Sequence, residues 1–123
     1  MTYEFRTLPD AQILEVKMQG LLNSALRAEV LCEASAKLGI NEYNRLLVNI
    51  FETTISEKQL SFDAYPLVDV LKKNDFKPPK KIAFLKKEDH VVRTLFEKVA
   101  QQEGFNVKYF YSRDEALVWL CQS

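Results

Sequence analysis

Apolar and polar positions alternate along this chain with two different periods, and the changes of period mark its elements. Over Thr2 to Leu8, Tyr3, Phe5 and Thr7 alternate with Glu4 and Arg6, the period of two of a half-exposed strand. Pro9-Asp10 is a turn signal. From Gln12 to Met18 the alternation resumes, with Ile13, Leu14, Val16 and Met18 apolar. Two such runs about a tight turn predict an antiparallel hairpin, with Gly20 closing its second strand.

After Gly20 the period lengthens. Leu26, Val30, Ala34 and Leu38 recur every four residues with Leu31 beside them, and Glu29, Glu33 and Lys37 fall on another face. Asn23 is placed to cap this helix and Gly39 to stop it. Arg45 to Phe51 is an almost unbroken apolar run (Leu46, Leu47, Val48, Asn49, Ile50), suited to a central strand covered on both faces. Ser56 to Asn74 reads as a helix, with Leu60, Ala64, Leu67, Val68 and Leu71 on one stripe. Pro66 lacks an N–H and clashes with the preceding turn. A break or kink near Asp63 is therefore expected, with Asp63 capping a second segment and Pro66 in its first turn. Pro78-Pro79 reads as an extended connector.

Lys80 to Lys87, with Ile82, Ala83, Phe84 and Leu85, predicts another buried strand. Asp89 to Glu103 predicts a helix on Val92, Leu95, Phe96, Val99 and Ala100, ended by Gly104, and Asn106 to Tyr111 a last strand. Ser112 with Glu115 forms a capping-box pattern at the start of a closing helix docked by Ala116, Leu117, Trp119 and Leu120. Losing that serine costs about 1 kcal/mol by the usual range for caps. The order β-β-α-β-α-β-α-β-α predicts an α/β protein. Its sheet is mixed and mostly parallel, five-stranded, flanked by helices and opened by an antiparallel N-terminal hairpin.

The 123 residues fit one domain spanning 1–123. At 47% hydrophobic residues the chain is too apolar for disorder. Cys32 and Cys121, far apart and each in a predicted helix, make neither a disulfide framework nor a metal motif and are expected as reduced, half-buried thiols. The start Met1-Thr2-Tyr3-Glu4-Phe5-Arg6 lacks the pattern of a signal peptide. No apolar run reaches the roughly 18 residues of a membrane span, so a cytoplasmic protein is expected. Residues 1–71 hold 6 basic and 10 acidic side chains, and residues 72–123 hold 11 and 7, net −4 and +4. A polarised surface of this kind steers charged partners. Nucleic-acid binding usually brings an overall basic domain and is not expected.

Chemistry-bearing motifs are sparse. His90 is the only histidine, in Glu88-Asp89-His90-Val91, without the base, orienting group or further ligands that nucleophilic or zinc chemistry requires. With only Gly20, Gly39 and Gly104 there is no phosphate-binding loop. No cofactor, metal or enzymatic activity is expected. A response-regulator receiver needs an acidic pair after the first strand and an aspartate closing the third. The strand here carries Asn49 and ends at Phe51-Glu52, which excludes that reading.

Three groups of residues remain. Lys72, Lys73, Lys77, Lys80, Lys81, Lys86 and Lys87 surround the fourth strand, either as a patch for an anionic partner or as solvating strand ends. Phe51, Phe62, Tyr65, Phe84, Tyr109 and Tyr111 line an apolar cavity or pack the core. Glu52-Thr53-Thr54-Ile55-Ser56-Glu57 follows the central strand and precedes a helix, beyond the carboxyl end of a strand, where active loops of α/β folds lie. A phosphoryl group there gains about 0.3–1 kcal/mol from the helix dipole and adds about two negative charges. Thr54 or Ser56 as a plain helix cap is the alternative.

The opening hairpin with Gly20, the helix from Asn23, Leu46-Leu47-Val48-Asn49, Lys81-Ile82-Ala83-Phe84 and the closing Asp114-Glu115-Ala116-Leu117-Val118-Trp119-Leu120 together resemble the SpoIIAA-like group of the STAS superfamily, which is also likened to lipid-binding Sec14 domains. The resemblance covers nearly the whole chain. It implies a small, non-enzymatic bacterial regulatory domain. Anti-sigma-factor antagonists of this fold carry a phosphorylatable serine in an Asp-Ser-Ser-Gly-like run after a central strand. This chain has Glu52-Thr53-Thr54-Ile55-Ser56 there, without the glycine. Thr53, Thr54 and Ser56 are accordingly the candidate phosphoacceptors.

Two functions follow. The first is a regulatory protein-interaction module that docks a partner through residues 52–57 under phosphorylation control. The second is a carrier or sensor of a small apolar or lipid-like ligand held between the sheet and the helix of residues 56–74. Self-association into a homo-oligomer through a strand edge or helix face is compatible with either.

Overall fold

The computed structural model describes residues 2–22, 24–54, 57–87 and 95–122, with side chains at all of these except 24 and 57–64. The expected cap Asn23, the candidate Ser56 and His90 lie outside the described residues, as do the side chains of Glu57, Leu60, Phe62, Asp63 and Ala64.

The hairpin pattern is realised as β1 (Thr2–Leu8) and β2 (Ile13–Leu21), paired antiparallel with Glu4 opposite Lys17, Phe5 opposite Val16 and Arg6 opposite Glu15. Gln12 turns the chain at φ +56. Three further strands, β3 (Arg45–Thr54), β4 (Lys81–Leu85) and β5 (Asn106–Phe110), add in parallel, so the sheet runs β1-β2-β3-β4-β5 in chain order. Gly20 does not end β2. At φ +98, a backbone region open to glycine, it carries the strand on to Leu21 after a register shift between Lys17 and Gln19.

Helices α1 (Ser24–Asn41), α2 (Glu57–Lys73) and α3 (Leu95–Gln102) cover one face of the sheet. Their core includes Val30, Ala34 and Leu38 of α1, Leu67, Val68 and Leu71 of α2, and Phe96, Val99 and Ala100 of α3, packed on Leu14, Val16, Leu46, Val48, Ile82, Phe84 and Val107. Among the described residues the other face carries only α4 (Arg113–Cys121), over a smaller cluster of Ile13, Leu47, Ala83, Leu85, Phe110, Ala116 and Leu120. Leu46 and Leu47, both 0% exposed, thus face opposite layers, as their apolar run requires.

Several boundaries differ from the sequence reading. Gly39 lies inside α1, which continues to Asn41. The left-handed residue that ends the helix is Glu42, φ +58. Tyr43 N–H donates to the Leu38 carbonyl at 3.0 Å and Glu42 N–H to Gly39 at 3.3 Å, the double closure of a Schellman motif. The same pattern ends α2 at Asp75 (Phe76 N–H to Leu71 carbonyl, 3.1 Å) and α3 at Gly104 (Phe105 N–H to Ala100 carbonyl, 2.9 Å). In α2 and α3 the following aromatic, Phe76 or Phe105, is buried in the core.

Of the break or kink expected near Asp63, the break does not occur and no second segment starts there: α2 is one helix with Pro66 inside it. Proline withholds one N–H, but the following turn buries Leu67, Val68 and Leu71 at 3% exposure or less, and that packing holds the helix through it. Pro78 and Pro79 are not extended. They are joined by a cis peptide bond and form a turn in which Lys80 N–H reaches the Lys77 carbonyl at 3.2 Å. The cap of α4 is as expected, with Ser112 extended and its hydroxyl accepting from Glu115 N–H at 3.4 Å. Cys32 and Cys121 are free, and they are exposed instead of half-buried.

Candidate functional site

The carboxyl ends of the parallel strands β2 to β5 form one rim of the sheet. The segment read as a loop is largely strand. β3 extends through Glu52, Thr53 and Thr54 because Gln19, Gly20 and Leu21 of β2 continue to pair with them. The sequence hid this, since the apolar run stops at Phe51 while the ladder does not. Leu22 N–H donates to the Thr54 carbonyl at 2.9 Å and closes the pairing.

The candidate hydroxyls are placed differently. Thr53 is 4% exposed, and its Oγ1 donates to the Ile50 carbonyl at 2.6 Å. Thr54 is exposed. Beside it stands Leu21, its partner in register, 62% exposed. Phe51, also on the rim, is partly exposed with the Lys87 ammonium 5.6 Å from its ring centre. Tyr111 is exposed just past β5.

Lys86 is held differently from Lys87. It is 3% exposed, its N–H donates to the Phe110 carbonyl at 2.9 Å, and its ammonium lies 4.8 Å and 5.1 Å from the ring centres of Tyr109 and Tyr111. Burial pushes the Lys86 pKa down, and the negative charge of Glu97 opposes that shift. Tyr109 is half-buried against the main core, and its desolvation pushes the phenol up to about 12; its N–H donates to Glu97 Oε2 at 2.7 Å.

The lysines read as one patch have separate structural tasks. Lys81 Nζ donates to the carbonyls of Trp119 and Gln122 at 3.0 Å and 2.5 Å, meeting the orphan acceptors at the end of α4. Lys80 Nζ donates to the Asp75 carbonyl at 2.8 Å, and Lys72 pairs with Glu103 at 3.5 Å. Lys80 and Lys81 lie at the start of β4 and Lys86 and Lys87 beyond its end, roughly 15–20 Å apart at strand rise.

The aromatic set also separates. Phe84 packs edge-on against Phe96 and Tyr109, with ring centres 5.7 Å and 5.0 Å away, whereas Phe51, Tyr65 and Tyr111 face solvent. Between the sheet, α1 and α2 the described residues enclose about 20 Å³, lined by Met18, Leu22, Val30, Val48, Leu67 and Phe84 among others. Ligand pockets typically measure about 300–1,000 Å³.

One buried polar centre gives no sequence signal. Glu15 sits on β2 at a position that alternation assigns to solvent, yet it is 1% exposed. Arg113, at the start of α4, grips it with two nitrogens at 2.7 Å and 2.6 Å, and Arg6 Nε donates to it at 3.0 Å. Burial by itself raises the Glu15 pKa. The hydrogen bonds from Arg113 and Arg6 outweigh burial and hold the carboxyl below its ordinary value. Asn49, Lys17 and Glu4 complete the lining of an open depression of about 360 Å³. Glu15 and Arg113 lie 98 residues apart, and nothing local points from one to the other. Among the described residues no cluster of His, Cys, Asp or Glu is placed to hold a metal ion, and no helix is long and apolar enough to cross a membrane.

Among the described residues, a five-stranded sheet with an antiparallel first strand, three helices on one face and one on the other defines the class of fold. The chain is similar to the crystal structure of an anti-sigma factor antagonist from Mycobacterium paratuberculosis (11% identity, 98% of this chain and 96% of that chain, TM-score 0.59). It is also similar to the anti-sigma factor antagonist SpoIIAA in its unphosphorylated form (9% identity, 96% of each chain, TM-score 0.53). A third likeness is to an uncharacterized protein with a SpoIIAA-like fold from Shewanella loihica PV-4 (21% identity, 98% and 93% covered, TM-score 0.55). The chain therefore has a SpoIIAA-like fold. No protein-family model and no curated protein matches it.

Proposed function

We propose that this chain is a non-enzymatic regulatory module that docks a protein partner on the carboxyl rim around Thr54. The observation that carries the reading is the exposure of large side chains, Leu21, Phe51 and Tyr111, towards the carboxyl ends of β2, β3 and β5, with Leu21 in register with the exposed Thr54. Protein interfaces use such apolar and aromatic anchors at their centres. Two solved structures of the same fold are anti-sigma factor antagonists, one of them in an unphosphorylated form.

In this reading Thr54 and Ser56 are the phosphoacceptors, and Thr53, with its hydroxyl buried, is not. A phosphoryl group at Thr54 stands just before α2, which begins at Glu57, and beside the exposed Glu52. It would gain from the helix dipole and turn the rim acidic, which switches the partner's affinity.

The test begins with intact-mass measurement of the protein purified gently from its own cells, looking for a phosphoryl adduct on residues 53–56. Partner capture is then repeated with Thr54→Glu, Leu21→Ala and, as a control off the rim, Ile40→Ala, which changes a side chain 81% exposed on α1. Capture lost with the first two and kept with the third is the expected result. Capture indifferent to all three removes the rim as the docking surface.

A further inference from the structure

β1 is an edge strand, and edge strands invite pairing unless charge, proline or a covering element blocks them. The two edges of this sheet differ in that respect. β5 carries Lys108 at its centre, exposed, so two copies meeting antiparallel along β5 would set Lys108 against its own copy. β1 carries Glu4 and Arg6, both exposed, at equal distances on either side of Phe5. An antiparallel pairing about a two-fold axis at Phe5 sets Glu4 opposite Arg6 of the second copy, twice.

The fit extends beyond that pair. Within one chain Glu4 stands opposite Lys17, and Arg6 opposite Glu15, with Arg113 beyond Glu15. Each cross-strand row alternates in sign as far as the edge, then stops at a charge of opposite sign to the one a second copy would present. Joined, the row reads Lys17, Glu4, then Arg6, Glu15 and Arg113 of the second copy, alternating without interruption. Opposite charges directly across a strand pair stabilise it and like charges oppose it. On the other face the two Phe5 rings, half-buried against the main core, come together at the axis.

We infer that a second copy of this chain docks on the β1 edge, antiparallel about Phe5, giving a two-fold dimer with one ten-stranded sheet. The contact is isologous and closes on itself, so it ends at two copies. One strand edge buries less than the roughly 1,200–2,000 Å² of a standard interface, so the dimer is concentration-dependent. The surplus negative charge of residues 1–71 in each copy opposes association weakly, since it acts over distances comparable to or beyond the screening length of about 8 Å at physiological ionic strength.

Sedimentation equilibrium over a wide concentration range tests this, with the wild type, Glu4→Lys and Lys108→Glu. The expected result is a monomer–dimer equilibrium whose dissociation constant rises about tenfold or more with Glu4→Lys and does not change with Lys108→Glu. Hydrogen exchange on the wild type provides the second reading: amides of β1 lose protection on dilution. A wild type monomeric throughout, a dimer indifferent to Glu4→Lys, or assemblies that grow beyond two copies each overturn the proposal.

Discussion

Glu15 concentrates the electrostatics of the molecule in one residue. A carboxylate at 1% exposure is stable only when its desolvation is offset by hydrogen-bonded counter-charges, and Arg113 and Arg6 supply them. Glu15→Gln keeps the shape and removes the charge, leaving guanidinium groups 35% and 62% exposed that water can still solvate. The expected loss is therefore about 1–3 kcal/mol, less than for a fully buried pair, and urea unfolding at neutral pH measures it. The pH dependence follows from the same contacts. The folded-state pKa of Glu15 lies below its unfolded value, so its stabilisation is complete above the unfolded value and disappears as pH falls through the folded one. Stability of the wild type minus that of Glu15→Gln should shrink on acidification; a difference constant with pH would show that charge is not what Glu15 contributes. This centre was illegible in the sequence because alternation assigns each β2 position to a face without saying what covers the face.

At the scale of elements, α1 ends at a residue poorly suited to its backbone. Glu42 takes φ +58, a conformation that disfavours residues with a Cβ by about 1–2 kcal/mol. Gly39, three residues earlier, spends its flexibility inside the helix, where glycine is worse than alanine by about 0.5–1 kcal/mol. A Cβ added at Gly39 meets nothing within 4 Å. Gly39→Ala and Glu42→Gly are each expected to stabilise, by about 0.5–1 kcal/mol, read as a rise in thermal midpoint. Asp75→Gly at the end of α2 should gain less, because aspartate tolerates the left-handed region better than glutamate. These positions also explain what was readable. Among the described residues periodicity identified the strands and the helices, with the expected start of α3 at Asp89 and Val92 lying outside them, and Ser112-Glu115 marked a real cap, because those signals are local. The end of α1 is fixed by a backbone closure from Tyr43 to Leu38 at a position where Gly39 gave a stronger but misleading stop signal, while the end of β3 and the continuity of α2 depend on tertiary partners: the ladder to Leu21 and the packing of Leu67 and Leu71. The hydroxyl candidates show the same division. A Thr-Thr pair after a central strand is legible, but which of the two is buried depends on where the ladder stops.

Across the whole molecule, strand order equals chain order, so the acidic first half and basic second half of the sequence become opposite sides of one sheet. The two faces are just as unequal. Among the described residues three helices cover one core, while the smaller core has α4 alone. That helix is fastened at both ends, by Arg113 to Glu15 at its start and by Lys81 to the Trp119 and Gln122 carbonyls at its end. Regions with few buried apolar contacts open first, so releasing both fasteners should let α4 detach while the larger core stays folded. The only tryptophan, Trp119, lies on α4 with its ring centre 5.6 Å from Phe110, and its fluorescence therefore reports this docking specifically. In Arg113→Ala/Lys81→Met the Trp119 fluorescence transition should precede the far-ultraviolet circular dichroism transition on urea titration, because α4 contributes only 9 residues of helix against 18 in α1 and 17 in α2. Coincident transitions in that variant would mean that α4 unfolds only with the whole sheet, and that the contacts of Leu120 and Ala116 with β3 and β4, not its two polar fasteners, determine its attachment.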